Sequence, residues 1–235
     1  MRAMILAAGR GERMRPLTDT CPKPLLRAGG LPLIGWHLRR LAAAGVRDVV
    51  VNHAWLGERI EQALGDGRDW GVSIRYSPEG EALETAGGIA QALPLLGEAP
   101  FLVINGDIWC DWDVGRARTI AERMLALGLN AWCVLVDNPA HHPTGDFALH
   151  SGRLADDPSG AGAGAADRLT FAGVGLYRPG LFEHVAPGAR APLAPLLRAA
   201  ARARRAGAER HTGRWIDVGT PQRLAELDAQ LSTDA

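Results

Sequence analysis

Lysine is almost absent from this chain of 235 residues. Lysine and arginine together number 26, and Lys23 is the only lysine among them. A compact ammonium on a flexible stem and a broad planar guanidinium are not interchangeable at a tight phosphate site. The lone lysine therefore has two explanations. Either one lysine remains by chance in a sequence biased against lysine, or this position requires a compact charge.

An excess of charge and long apolar runs are also absent. The 26 basic and 26 acidic residues give a formal net charge of zero, which argues against a broad surface for nucleic acid. The apolar runs are too short to span a bilayer. The start, MRAMILAAGRG, has neither the apolar core nor the cleavage site of a signal peptide. We expect a globular cytoplasmic protein whose first apolar run is a buried strand.

Cysteine is scarce, and its three positions, Cys21, Cys110 and Cys133, are odd in number and widely spaced. This spacing excludes a disulfide framework and a CxxC zinc motif, so we expect reduced, structural thiols. His141 and His142 are adjacent, but sequence neighbours rarely face one site unless the backbone turns there. A metal role for this pair is therefore not predicted.

Short apolar runs alternate with helical patterns over residues 1–137. Strands are predicted at 3–7, 46–52, 72–76, 101–104 and 131–136, and helices at 32–44, 56–64, 86–93 and 114–127. Strands separated by helices indicate a parallel sheet in a three-layer α/β fold. Ligands in such folds bind at the carboxyl ends of the strands, so the loops after the first four strands should converge on one crevice.

The pattern changes after Asp137. Shorter, partly antiparallel strands are predicted at 145–150, 153–155 and 169–177, followed by helices at 192–205 and 221–231 with a strand at 214–218. The Gly/Ala-rich stretch 156–167 has no apolar periodicity and is predicted to be a loop. Without an internal repeat or a long linker, the sequence predicts a single domain over 1–235.

The first candidate site is LAAGRGERMRPLT, residues 6–18, followed by PKPLL. Its glycines can turn backbone N–H groups toward an anion, and Arg10, Arg13, Arg15 and Lys23 add positive charge. A dinucleotide fingerprint would need a third glycine where Met14 stands, and no Gly-Lys-Ser/Thr of a Walker A loop occurs. We predict phosphate binding; the alternative is a surface loop with solvated arginines.

Two aspartates follow apolar strands. Asp107 ends FLVINGD, where an acid can hold Mg²⁺, although Asn-Gly-Asp is also a common turn sequence. Asp217 lies within the apolar run RWIDVGT, an unusual place for an acid unless it is paired or bound to a metal. Thr220 and Pro221 then suit the N-cap and first position of the last helix.

The stretch SPEGEALETAGGI, residues 77–89, combines acids and glycines at a predicted helix entry. Thr85 is a candidate N-cap, and Gly87-Gly88 would permit a flat base to approach the backbone closely. Alternatively, this is a polar loop whose acids, Glu79 among them, are solvated.

Together these motifs resemble the sugar-1-phosphate nucleotidyltransferases, whose signature is Gly-x-Gly-x-Arg, then Pro-x-Thr, then Lys-Pro. NGD and WIDVGT are similar to the two aspartate sites of that family, in the same order along the chain. The resemblance implies a Rossmann-like, three-layer α/β/α fold with a mixed, mostly parallel sheet. It also implies Mg²⁺-dependent transfer of a nucleotidyl group to a sugar 1-phosphate with release of pyrophosphate. Residues 1–137 would bind the nucleotide, and residues 138–235 would bind the sugar and supply the second metal aspartate.

The resemblance also implies a role for individual residues. Arg13 would bind the pyrophosphate leaving group, and Lys23 would contact the sugar phosphate and the α-phosphate. Asp107 and Asp217 would hold Mg²⁺. The attacking sugar phosphate is already an anion, so the reaction needs no general base. The nucleotide is expected at Gly9, Gly11, Glu12, Glu79 and Gly88, and the sugar at Asn105, Gly145 and Asp146.

Within the family, VNHAWLGERI, YSPEGEALETAGGI and NGDIW most resemble N-acetylmuramate-1-phosphate uridylyltransferases of peptidoglycan recycling. That implies UTP and N-acetylmuramate 1-phosphate as substrates, in a monomer or small homo-oligomer. The alternatives are mannose 1-phosphate with GTP, glucose 1-phosphate with dTTP, or a non-catalytic module that binds nucleotide sugars. A muramyl substrate carries a lactyl carboxylate, for which the candidate cations are His141, His142, Arg210 and His211.

Overall fold

The computed structural model of the protein describes residues 1–156 and 168–233. Most of the Gly/Ala-rich loop predicted at 156–167 lies outside the described residues, as do any sugar contacts there. None of the helices in the described chain combines the length and apolar character needed to cross a membrane. The strands are β1 (Arg2–Leu6), β2 (Arg27–Ala28), β3 (Leu31–Pro32), β4 (Asp48–His53), β5 (Ser73–Pro78), β6 (Phe101–Asn105), β7 (Ile108–Cys110), β8 (Ala131–Val136), β9 (Phe147–His150), β10 (Arg153–Ala155), β11 (Arg168–Tyr177), β12 (Ala206–Arg210) and β13 (Trp215–Asp217). The helices are α1 (Leu17–Thr20), α2 (Leu33–Ala43), α3 (Gly57–Leu64), α4 (Glu84–Leu96), α5 (Ala117–Ala126), α6 (Leu193–Arg202) and α7 (Pro221–Thr233).

One large sheet takes strands from both halves of the chain, in the order β5-β4-β1-β6-β11-β8-β12-β10-β9. The strands β5, β4, β1 and β6 are parallel neighbours. Strand β11 runs antiparallel between β6 and β8, and β10 runs antiparallel to its neighbours β12 and β9. All the other strands of this sheet point the same way, which confirms the mixed, mostly parallel sheet.

Successive side chains of the central strands pack against helices on opposite faces of this sheet. Ile5 belongs to a core cluster that includes Leu38 of α2, whereas its neighbour Met4 belongs to a second cluster with Ile89 of α4 and Leu197 of α6. Successive side chains of a strand point to opposite faces, so a strand that is apolar at every position must be covered on both sides. The predicted three-layer arrangement is therefore confirmed.

Four short strands were not predicted from the sequence: β2 and β3, which pair with each other, and β7 and β12. Strand β12, AGAER, is built from residues that are depleted in strands, and it is ordered by parallel pairing with β8. Strand β7, IWC, is too short to show a period, and it pairs antiparallel with β13 in a separate two-stranded ribbon. For β7 and β12, tertiary pairing, which a local pattern does not reveal, determines the conformation.

His37 is a fully buried imidazole in the face of α2 that packs on the sheet. It is 3% exposed, and its Nε2 atom has no hydrogen-bond partner among the described residues. Burial, with a smaller contribution from Arg40, lowers the pKa of His37 from 6.5 to about 4. The folded protein thus holds this side chain neutral at a pH where the unfolded chain protonates it.

This burial predicts an acid-sensitive stability. Because the folded pKa lies below the unfolded value, the contribution is complete above about pH 6.5 and is lost as the pH falls toward 4. The loss should be about 3 kcal/mol in the free energy of unfolding. Urea unfolding at several pH values should show that His37→Asn flattens this dependence. The matched control is His184→Asn, at an exposed histidine, which should keep the wild-type profile. If the free energy of unfolding depended on pH in the same way for wild type, His37→Asn and His184→Asn, His37 would not be the source of the acid sensitivity.

Candidate active site

The loops that follow β1, β4, β5 and β6 surround a cavity of about 220 Å³. Gly9, Asn52, Glu79 and Asp107 line it, one from each of these loops or strand ends. The four strands are parallel, so their carboxyl ends meet at one edge of the sheet. The predicted crevice is confirmed, and we call it the first cavity.

The two glycines of the loop after β1 have different surroundings. Gly9 lines the first cavity, and no atom lies within 4 Å of the position a Cβ would take. Gly11 has a φ of 69°, and its carbonyl accepts a 2.8 Å hydrogen bond from the Thr18 hydroxyl, which closes the loop. Glu12 is exposed and pairs with Arg15 at 3.4 Å, away from the cavity lining. Of these predicted nucleotide contacts, the structure brings only Gly9 to the first cavity.

Two of the three loop arginines support the loop itself. The Arg10 guanidinium lies 3.8 Å from the Trp55 ring centroid, and Arg15 donates to Asp19 at 2.8 Å. These arginines hold the pKa of Asp19 below its ordinary value, Arg15 contributing most. Arg13, by contrast, makes no hydrogen bond or ion pair within residues 1–156 and 168–233, and it lines a second cavity. It is the loop arginine available to an anion.

Lys23 is the buried cation of the site. The residue is 7% exposed, and its ammonium donates to Asp107 Oδ2 at 2.7 Å. Pro22 and Pro24 flank it and restrict the backbone that aims the side chain. Its Cβ lies 3.3 Å from where a Cβ on Gly11 would be, so the walls around its stem are close. A compact charge fits here, and a planar guanidinium would have to displace the loop.

The ribbon of β7 and β13 brings the two predicted metal aspartates together. Asp217 pairs in register with Ile108, the residue after Asp107, and the Val218 N–H donates to the Asp107 carbonyl at 2.9 Å. Both carboxylates line the second cavity, of about 340 Å³. The sequence alone did not explain why an acid stands in the apolar run at Asp217. In the structure, Asp217 ends a ribbon strand at the edge of a polar cavity.

Asp217 is held by residues that the sequence analysis did not connect with it. Its Oδ2 accepts from Arg223 Nη1 at 2.6 Å, and His141 Nε2 lies 3.3 Å from the same oxygen. The same His141 nitrogen lies only 2.8 Å from Arg223 Nη1. Arginine can only donate, so His141 Nε2 accepts that hydrogen bond and does not donate to Asp217. Arg223 follows the Thr220 cap of α7, whose hydroxyl accepts from the Arg223 N–H as predicted.

The two aspartates offer carboxylate oxygens, the ligand atoms that Mg²⁺ prefers. Oδ2 of each carboxylate accepts from a cation of the protein, Lys23 for Asp107 and Arg223 for Asp217. Oδ1 of each accepts no hydrogen bond from the described residues. Oxygen donors from two carboxylates on one open cavity suit a hard cation that keeps several waters. These oxygen ligands therefore fit Mg²⁺.

Glu79 is buried in a hydrogen-bond network between the first cavity and α4. Its Oε1 accepts from the Asn52 amide at 2.6 Å and its Oε2 from the Leu83 N–H at 2.8 Å. Asn52 in turn accepts from the Ala7 N–H at 2.9 Å. A Cβ on Gly88 would lie 2.5 Å from Glu79 Oε1, so Gly88 makes room for this carboxylate. Both oxygens of Glu79 are satisfied, and the network fixes three strand ends to the start of α4.

The glycine pair predicted to admit a flat base is packed against protein atoms, and a nucleotide contact at Gly88 stays a prediction. Neither Gly87 nor Gly88 lines the cavities described here, and a Cβ on Gly87 would lie 2.2 Å from the Ala189 carbonyl oxygen. Protein atoms on both sides fill the space that the absent side chains leave. The helix is close-packed at this point, and the cavity is lined instead by the residues just before it.

The predicted cap of α4 is wrong. The helix begins at Glu84, without a side-chain cap, and Thr85 lies within its first turn. The Ala191 carbonyl accepts from the N–H groups of Ala86 and Gly87, at 2.9 and 3.1 Å. A distant segment thus supplies the acceptor that a local cap would have given. Glu84 has a φ of 61°, in the left-handed region, where the chain turns into the helix.

Gly88→Ala is expected to destabilise the protein by about 1–3 kcal/mol, because the new methyl must push Glu79 out of its network. Thermal or urea unfolding measures this loss. Gly80→Ala is the matched control, since nothing lies within 4 Å of its Cβ position, and it should unfold as the wild type does. Equal stability of Gly88→Ala and wild type would show that the network around Glu79 is not tightly packed.

A third cavity, of about 440 Å³, lies between α4, α6 and the β11 edge of the site. Asp146 and Phe171 line it, and Asp146 Oδ2 accepts from the Phe171 N–H at 2.8 Å. Gly145 is buried beside it at a φ of 60°, shaping the turn and not lining a cavity. Asn105 lines all three cavities, and Thr85 lines the first and third. The cavities therefore meet around the carboxyl end of β6.

Comparisons with known proteins match this arrangement. The model of the nucleotidyl transferase family matches residues 2–145. The N-acetylmuramate alpha-1-phosphate uridylyltransferase of Neisseria meningitidis is 56% identical over 230 residues, covering 97% of each chain. This chain belongs to the nucleotidyl transferase family. The uridylyltransferase of the same name from Caulobacter vibrioides is 35% identical over 98% of this chain and 96% of its own.

A solved structure agrees with the fold of this nucleotidyl transferase. A Bacillus anthracis protein, described as a glucose-1-phosphate thymidylyltransferase in complex with a sucrose, has a TM-score of 0.83. The match covers 99% of this chain and 95% of the other, at 21% identity. The Rossmann-like α/β arrangement predicted from the sequence is thus confirmed.

The structure of this nucleotidyl transferase gathers most of the predicted site residues and leaves some apart. Gly9, Glu79 and Lys23 reach the first cavity, and Asp107 lies between it and the second. The predicted residues that line none of the three cavities are Gly11, Glu12, Gly88 and Gly145. The lining residues that the sequence analysis did not assign to substrate include Asn52, Thr85, Thr170, Phe171 and Arg198. Each is brought in by the sheet, by α4 or by α6, and no short motif assigned them to substrate.

Proposed function

We propose that this nucleotidyl transferase transfers UMP from UTP to N-acetylmuramate 1-phosphate, giving UDP-N-acetylmuramate and pyrophosphate in peptidoglycan recycling. The observation that carries the reaction type is the meeting of three cavities at Asn105, where Asp107 lines two of them and pairs with Lys23, which lines the first. The substrate pair is supported by the name of the relative that is 56% identical over almost the whole chain.

The first cavity suits the nucleotide and the third suits the sugar. Gly9 offers uncovered backbone beside Lys23, and the α-phosphate is proposed to lie against that ammonium. The sugar phosphate would reach the same point from the third cavity past Asn105. The attacking oxygen already carries negative charge, so the side chains need only orient it in line and neutralise charge. The buried Lys23 ammonium does both.

Arg13 is proposed to hold the leaving pyrophosphate. Its guanidinium is unpaired within the described chain and lines the second cavity beside both aspartates. A Cβ on Gly219 would lie 3.3 Å from Arg13 Nη1, so the arginine reaches the turn that follows Asp217. An exposed cation at this edge, without a partner among the described residues, can bind the departing anion without breaking an ion pair of the loop.

Asp107 and Asp217 are proposed to hold Mg²⁺ through their carboxylate oxygens. When bound, Mg²⁺ would supply positive charge to the oxygens of the triphosphate. The protein contributes the ribbon of β7 and β13, which fixes the spacing of the two carboxylates, and the cations Lys23 and Arg223, which hold them in place.

The division of labour along the chain follows from these positions. We propose that residues 1–137 bind the nucleotide, since Gly9, Lys23, Glu79 and Asp107 all belong to that part. Residues 138–235 are proposed to bind the sugar and to supply Asp217 within the same single domain. A cytoplasmic monomer or small homo-oligomer is proposed for the native protein.

Pyrophosphate release with Mg²⁺ tests this function. UTP, dTTP, GTP, CTP and ATP are crossed with a panel of sugar 1-phosphates that includes N-acetylmuramate, glucose and mannose 1-phosphates. The proposal requires release with UTP and N-acetylmuramate 1-phosphate well above every other pair. Preference for a different pair would keep the mechanism and reject the substrate. Nucleotide binding without release for any pair would instead indicate a binding module.

A further inference from the structure

This inference rests on the proposed function and concerns how the acidic sugar is selected. N-acetylmuramate differs from N-acetylglucosamine by a lactyl ether, which adds a carboxylate to the sugar ring. A carboxylate that enters a cavity loses water and needs a charged hydrogen-bond donor in return. The sugar-binding cavity should therefore contain a cation that a neutral sugar would not require.

Arg198 is the only lysine, arginine or histidine among the described residues that line the third cavity. The other lining groups are two acids, Glu84 and Asp146, small polar groups such as Asn105, and apolar side chains. Asp146 is already paired with His142 at 3.0 Å. A substrate carboxylate entering this cavity would therefore find one cationic partner among the described residues, Arg198 on α6.

The surroundings of Arg198 orient its guanidinium and leave its charge available. Its Nε lies 3.0 Å from Asp156 Oδ1, and the guanidinium lies 5.9 Å from the centroid of the Phe147 ring. Arg202, one turn further along α6, pairs with the other oxygen of Asp156 at 2.5 Å. Two arginines share one carboxylate, so one positive charge remains uncompensated by this group. Arg198 is also the more buried of the two, with 42% of its side chain exposed against 64% for Arg202.

The cations considered from the sequence are occupied elsewhere. His141 and His142 line the second cavity, where they contact Arg223 and Asp146. Arg210 pairs with Asp137, and His211 pairs with Asp111 at 2.7 Å. Neither Arg210 nor His211 lines any of the three cavities. None of the four lines the cavity assigned to the sugar ring.

We infer that Arg198 binds the lactyl carboxylate of the sugar substrate and thereby selects the acidic sugar over neutral ones. The sugar ring lies between Asn105 and the apolar residues of α6, with its phosphate toward Lys23 and its lactyl group toward Arg198. Asp156 and Arg202 position the guanidinium without contacting the substrate. Phosphate and carboxylate are thus recognised at opposite ends of one cleft.

The experiment compares N-acetylmuramate 1-phosphate with the same compound whose lactyl carboxylate has been converted to a primary amide. The quantity measured is the ratio of kcat/KM for the acid to kcat/KM for the amide, with UTP and Mg²⁺. Wild type should favour the acid by roughly 10- to 100-fold, the value of a charge-assisted hydrogen bond. Arg198→Gln should bring the ratio close to one, and Arg198→Lys, which keeps the charge, should restore part of it.

Arg205→Gln is the matched control, because Arg205 lies just beyond the same helix and is exposed, pairs with Asn130 and not with Asp156, and does not line the cavity. It should keep the wild-type ratio. An unchanged ratio in Arg198→Gln, or an equal fall in both variants, would overturn the inference. Equal use of acid and amide by wild type would also overturn it, while leaving the proposed function intact. Failure of wild type to use the acid at all would reject the proposed function, and this inference with it.

Discussion

Replacing Lys23 with arginine is expected to preserve the fold and to lower kcat by roughly 100- to 1,000-fold, the usual cost of losing one preorganised charge at a reacting centre. Lys23 is 7% exposed, and its ammonium lies 2.7 Å from Asp107 Oδ2, with the Gly11 loop against the stem of the side chain. A guanidinium keeps the charge but is too broad for this space, so the charge moves away from the phosphates. Steady-state pyrophosphate release and thermal unfolding are measured together.

Two further variants separate shape from charge at this position. Lys23→Met keeps the length of the side chain and removes the charge, so its loss of kcat should be at least as large. Arg27→Lys, at an exposed arginine of β2, exchanges the same two residue types outside the site and should retain full activity. Near-wild-type turnover of Lys23→Arg would reject the requirement for a compact charge and favour chance survival of the lysine.

The second large effect is expected from removing one charge at the metal aspartates. Asp107→Asn and Asp217→Asn should each raise the Mg²⁺ concentration for half-maximal activity and lower kcat by roughly 100-fold or more. Each amide retains one oxygen but loses the negative charge that balances the ion. In Asp107→Asn the buried Lys23 also loses its partner, which adds a loss of stability.

Asp111→Asn is the control for these two variants. Asp111 directly follows β7, and its side chain is 37% exposed, close to the 40% of Asp107, but it lines none of the three cavities. Its Mg²⁺ dependence should equal that of wild type. Titration of activity with Mg²⁺ at saturating substrates separates the three variants. An unchanged Mg²⁺ requirement in Asp217→Asn would remove Asp217 from the metal site.

The elements that were predicted from the sequence are those with strong local signals. The apolar run of β1 and the periodicity of α2 specify buried elements whatever their neighbours are. The Thr220 cap and Pro221 start of α7 also follow from local chemistry. The crevice at the carboxyl ends of parallel strands follows from topology alone, once the alternation of strands and helices is recognised.

The features that were missed depend on distant partners. Strand β7 exists because it pairs with β13, and that pairing is what joins Asp107 to Asp217. Gly88 looks like an approach for a ligand, but its missing side chain makes room for Glu79. Arg198 is one of the 25 arginines and has no motif around it; only the packing of α6 brings it to the third cavity. Such assignments need coordinates.

The proposed reaction requires that the sugar phosphate attacks the α-phosphate of the nucleotide where the three cavities meet. The most direct test combines unlabelled UTP with N-acetylmuramate 1-phosphate whose non-bridging phosphate oxygens carry ¹⁸O. The products are then analysed by mass spectrometry. Direct attack by the sugar phosphate predicts that all of the label appears in the nucleotide sugar and none in pyrophosphate. Label in pyrophosphate or in free phosphate, or nucleotide sugar that lacks part of the label, would contradict direct nucleotidyl transfer at this site.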